Sequence, residues 1–122
     1  MDTGDFIKTL AIKSVNIAQG GQISSALDCV GMQLVKIVLP TNFTAGNLRL
    51  YGADSDDPDN FTLIQDVDGT PLSIPGTPNT RQPFMPYLFI GSQFLKVNCS
   101  VAQASDVILK MILQPIFEGI HN

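Results

Sequence analysis

The chain reads as all-β, a single-domain antiparallel β-sandwich of jelly-roll-like type. Three observations predict it. Apolar and polar residues alternate with period two in several stretches; Gly, Pro, Asn and Asp punctuate the chain between them; and no stretch keeps a convincing helical period. Together they give roughly eight or nine strands at a spacing of about 8 to 14 residues, the pattern of a sandwich or barrel. Strand order is not written in the sequence.

Taken in order, FIKTLAIKSVNI is apolar at roughly alternate positions on both faces, and QGGQ at 19–22 ends it as a turn. ISSALDCV follows as a short strand. MQLVKIVLP predicts a strand from Met32 to Leu39, closed by Pro40, which has no amide to donate to a ladder. In NLRLYGA, Leu48 and Leu50 face inward while Arg49 and Tyr51 face out. GADSDDPDNF is then a hairpin tip. FTLIQ and PLSIP flank DVDG, where Asp68-Gly69 is a tight-turn pair.

Residues 75–86, PGTPNTRQPFMP, carry four prolines and predict an irregular loop between strands. Its bulky continuation, Phe84, Met85 and Tyr87, marks it as a candidate interface element. In QFLKVNCSVA the set Leu95, Val97, Cys99 and Val101 alternates with Phe94, Lys96, Asn98 and Ser100. DVILKMIL repeats the pattern with Val107, Leu109, Met111 and Leu113 on one face.

Residues 1–122 are expected to form one domain with its own core, since 44% of them are hydrophobic. Only 15% are charged, which argues against disorder and implies a surface of neutral polar side chains. The net charge is −4, and the seven Lys and Arg residues are scattered singly. Nucleic acid calls for a concentrated positive footprint, so it is not an expected partner. A membrane is not expected either, because no apolar run approaches the roughly 18 residues a spanning helix needs. The opening MDTGDFIKTLAIK has two acids before its first lysine and no apolar core, unlike a secretory leader. Production in a cytoplasm follows as the expectation, with Cys29 and Cys99 as buried free thiols.

Catalysis finds little footing. The sole histidine, His121, is one residue from the end of the sequence, and no nucleophile elbow, phosphate loop or zinc-type spacing occurs. Ten of the eleven acids are aspartates, mostly in turn-forming contexts where water keeps them ionised. Asp28, between apolar neighbours in SALDCVG, is the exception, and hydrogen bonds to turn amides explain it better than an acid catalyst. No enzyme is expected.

Asp54, Asp56, Asp57 and Asp59 have the oxygen density of a calcium loop, and calcium is the one cofactor considered. The pattern lacks the sixth-position glycine and the twelfth-position Glu of a helix-flanked site; that twelfth residue is Gln65. A solvated polar turn, with Pro58 fixing φ, is the preferred expectation.

Residues 20–113 resemble small structural proteins of tailed bacteriophages. The likeness lies in a strand Ser25, Ala26, Leu27, Asp28 followed by Gly31, then a hydrophobic strand ending in Leu39 and Pro40 with Phe43 and Thr44 in the turn. Next come a strand from Leu48 to Ser55, Phe61 with a hydrophobic pair, the Asp-Gly turn, and the strand Phe94 to Val97. DDPD stands as an insertion in that pattern, and Cys29 replaces an aliphatic residue.

The resemblance implies a non-enzymatic virion protein assembled in the bacterial host cytoplasm, a capsid decoration or cement subunit on the head. A neck or tail adaptor is its alternative. The implied partners are the major capsid protein and further copies of the chain. The terminal segments, 1–10 and 115–122, carry the apolar residues Phe6, Ile7, Ile116, Phe117 and Ile120, expected to act as arms on neighbouring subunits. A carbohydrate-binding module is the rival from another class. Tyr51 and Tyr87, with no Trp, are its only obvious stacking residues.

Overall fold

The computed structural model describes residues 10–29, 31–55, 57–83 and 92–115. Nine strands follow in order among them: β1 Ala11–Ile17, β2 Leu27–Asp28, β3 Met32–Val38, β4 Gly46–Ala53, β5 Thr62–Leu63, β6 Ile74–Gly76, β7 Arg81–Pro83, β8 Phe94–Cys99 and β9 Val107–Pro115.

The strands pair first with last and inward from there. β1 pairs with β9, β2 with β8, β3 with β7, and β4 with both β5 and β6, all antiparallel. The resulting ribbon rolls up through two further pairings, β3 with β9 and β4 with β8. Sheet A therefore has the order β1-β9-β3-β7, and sheet B the order β2-β8-β4-β5 with β6 also on β4. This is the jelly roll, two packed sheets with Greek-key connections.

The period-two pattern builds the core. Val15, Ile17, Leu34, Ile37, Val107, Leu109, Met111 and Leu113 point inward from sheet A. Leu27, Leu48, Leu50, Leu95, Val97 and Cys99 meet them from sheet B. Each fully buried Leu or Ile contributes about 1.5–3 kcal/mol of transfer free energy. In β3 the alternation fails, because Leu34 and Ile37 are three apart and both buried. A register shift between Leu34 and Lys36 opposite β9 inserts one residue, Val35, and turns both side chains to the core.

Two sequence expectations need correction. The predicted proline-rich loop contains strand: β6 runs through Gly76, and β7 occupies Arg81–Pro83. β7 is an edge strand bonded to β3 alone, a place where proline is tolerated. Gly76 lets β6 approach β4, since a Cβ there would collide with the Gly46 carbonyl oxygen. Val101, read as a fourth inward residue of its strand, is instead 41% exposed, because β8 ends at Cys99.

The two ends of the roll are built differently. At one end lie the β1–β2, β3–β4, β6–β7 and β8–β9 connections. Buried Gln103 ties three of them together. Its Oε1 accepts from Thr44 N at 2.8 Å, and its Nε2 donates to the carbonyls of Thr44 at 3.2 Å and Val101 at 3.3 Å. Its backbone pairs with Gly20 and Gly21. Buried Ser24 does similar work along β8: its Oγ accepts from Val97 N at 2.9 Å and donates to Ser25 O at 2.8 Å. The opposite end carries the β2–β3 and β4–β5 connections. β1 and β8 also begin there, and β7 and β9 end there.

Candidate functional site

The β4–β5 connection is a turn that satisfies itself. Pro58–Asn60 form a single 3-10 turn capped by Asp57, whose Oδ1 accepts from Asp59 N at 3.0 Å. Ser55 Oγ accepts from Asn60 Nδ2 at 2.6 Å and from Asp57 N at 3.5 Å. Asp54, Asp57 and Asp59 are exposed, and Asp56 lies outside the described residues. Among the described residues no three His, Cys, Asp or Glu side chains are grouped to hold a metal ion.

Asp28 is exposed rather than held among apolar neighbours, and its Oδ1 accepts from Gln93 Nε2 at 3.4 Å. Lys13 Nζ donates to its carbonyl at 2.8 Å, joining β1 to β2 across the sandwich edge. Cys29 and Cys99 are both free and buried. Burial pushes the Cys29 thiol up to about 11, so it stays protonated and unreactive at neutral pH.

The eight apolar interface candidates, Phe6, Ile7, Phe84, Met85, Tyr87, Ile116, Phe117 and Ile120, lie outside the described residues. Their points of attachment do not. Register puts Ala11 beside Leu113, Met32 beside Pro115 and Ala53 beside Phe94, all at one end of the roll. Segments far apart in sequence are thus joined to the sandwich at the end that also carries the Asp57 turn.

The outer face of sheet B holds Tyr51, half-buried on β4, with Lys96 opposite it on β8. Lys96 Nζ stands 4.5 Å from the centre of the Phe61 ring, a cation–π contact. Arg49 and Asn98 form the next outward pair along the same ladder. An aromatic face beside hydrogen-bonding side chains is what a sugar ring stacks against.

The outer face of sheet A was not singled out from the sequence. It exposes Ile12 at 65% and Ile108 at 59%, with Lys110 between them in register. The sequence held a signal for it: the strands of sheet A contain no acid, and Lys36, Arg81 and Lys110 all fall on this face. Assigning the face required strand order, which brings strands from both halves of the chain together.

No protein-family model and no curated protein sequence matches the chain.

Proposed function

We propose that the protein is a non-enzymatic structural subunit of a tailed-phage particle, a capsid decoration or cement protein that binds the head surface. The observation that supports this reading most is that β1 and β8 begin, and β7 and β9 end, at one end of the jelly roll. The segments attached there carry the apolar anchors read from the sequence, so one end of a rigid sandwich can address one partner surface. Many copies on a symmetric shell would make a small contact per copy sufficient. The resemblance to phage structural proteins supplies the partner class.

Immunogold labelling of particles propagated from the DNA that encodes the chain tests the reading. Gold over the head surface is the expected result. Gold at the neck or tail would replace it with the adaptor reading, and unlabelled particles would overturn the virion role. Deleting residues 116–122 sharpens the test: particle binding should be lost while the β-rich spectrum stays intact.

A carbohydrate-binding module is the second reading, favoured by Tyr51, Lys96 and Arg49 on the outer face of sheet B. A specific hit on a glycan array, lost in Tyr51→Ala, would support it.

A further inference from the structure

Charge is sorted along this chain in a way the fold makes spatial. Between Ala53 and Gly76 there are six aspartates and no Lys or Arg. Sheet A shows the reverse. Across its outer face, register sets Ile12, Ile112, Lys36 and Pro83 in one row and Ser14, Lys110, Val38 and Arg81 in the next. Asn16 and Ile108 follow in a third. The side chains of Lys36, Arg81 and Lys110 form no ion pair or hydrogen bond among the described residues.

The acidic stretch presents a rigid apolar point. Between β5 and β6 the chain makes an excursion closed by a bridge between Gln65 and Pro71. At its tip Asp66 N donates to Thr70 O at 2.7 Å, and Gly69, at φ +85°, donates to Asp66 O at 3.0 Å. Asp68 Oδ1 accepts from both Thr70 N and Thr70 Oγ1, which holds its carboxyl below the usual aspartate range. Val67 stands between the two aspartates at 72% exposure, the most exposed of the large hydrophobics described. An exposed hydrophobic side chain on a turn held by five local hydrogen bonds has its backbone already placed for a contact.

A cleft lies across the molecule from this tip. An open cleft of about 460 Å³ runs beside Ser14, Asn16, Ala18 and Ile108 on the β1 side of sheet A. Asp106 borders it, with its Oδ1 taken by Gln19 N at 2.7 Å. Lys110 is one row away. The tip belongs to the β5–β6 side of the sandwich and the cleft to the opposite, β1–β2 side.

We propose that the Asp66–Thr70 tip of one copy docks on the outer face of sheet A of a second copy. Val67 enters the cleft beside Ile108, and the flanking carboxylates face Lys110. Because tip and cleft lie on opposite sides, the contact is head-to-tail and propagates into a ring or a chain of copies. The inference stands apart from the virion reading: unlabelled particles would leave this contact standing, and a monomer would leave head binding open.

Sedimentation velocity of the full chain across a concentration series, at low and at high salt, tests it. The wild type should associate, and high salt should weaken association about tenfold through screening of the charge pairs. Val67→Asp and Lys110→Glu should each return it to monomer with an unchanged β-sheet spectrum. Asp66→Lys should do the same, and the double variant Asp66→Lys/Lys110→Glu should restore association by exchanging the charges. A wild type that stays monomeric at every concentration overturns the proposal. So does an assembly indifferent to Val67→Asp and Lys110→Glu, or a charge exchange that fails to rescue.

Discussion

The two ends of this jelly roll solve the same problem in opposite ways. Where the β1–β2, β3–β4 and β8–β9 connections meet, backbone groups too far from any ladder bond to the buried Gln103. Asn42 adds bonds to Ser105 Oγ and the Asp106 carbonyl. At the other end the side-chain bonds described for the Asp57 turn stay within it, and Asp54, Asp57, Asp59 and Asn60 are exposed. The first arrangement spends buried polar groups on joining segments distant in sequence. The second leaves its connection replaceable, which is where a fold can vary its contacts without losing its core.

The sharpest way to break this comparison is at Gln103. Gln103→Ala removes a buried side chain and leaves the half-buried amide and carbonyl of Thr44 without their partner, and denaturant unfolding should show a loss of about 3 kcal/mol. Ser24→Ala should cost less, about 1–2 kcal/mol, since one buried acceptor for Val97 N disappears. At the opposite end Asp57→Ala removes a cap on a short exposed turn, and the loss should stay under about 1 kcal/mol. If Asp57→Ala proved as costly as Gln103→Ala, the contrast between the ends would fail.

A pH dependence probes the same end of the roll by another route. Cys29, beside the replaceable end, is held neutral by burial, with the carboxylate of Asp28 adding to the shift and Lys13 opposing it. Its folded pKa is about 11 against an ordinary 9.0, so the folded state keeps the proton longer than the unfolded one. The stabilisation is complete below pH 9.0 and is lost as pH rises through about 11. Equilibrium unfolding followed from pH 8 to 11 should show the decline, and Cys29→Ser should flatten it.

Much of the sandwich was legible because alternation states burial directly. Val107, Leu109, Met111 and Leu113 are all buried as their spacing demands. β3 was legible as a strand but not in its facing, since a bulge at Val35 is a pairing property and leaves no mark on local pattern. β7 was hidden because Pro83 and its neighbours read as loop, and only the free edge of β3 makes room for them. The hairpin tip at GADSDDPDNF was readable from its flanks. The sheet A face was not, because Ile12, Lys110 and Arg81 become neighbours only through strand order.

First-with-last pairing also fixes how the molecule bears load. Ala11 lies beside Leu113, so the chain enters and leaves the roll side by side on one hydrogen-bonded pair of strands. Opposed pulls on residues 10 and 115 would load the β1–β9 ladder one bond at a time, like a zipper, because antiparallel bonds lie across the strands. Pulled together in the same direction, the two strands share the force and the ladder is not opened. A subunit held by both ends on one surface would resist lifting far better than one held by either end alone.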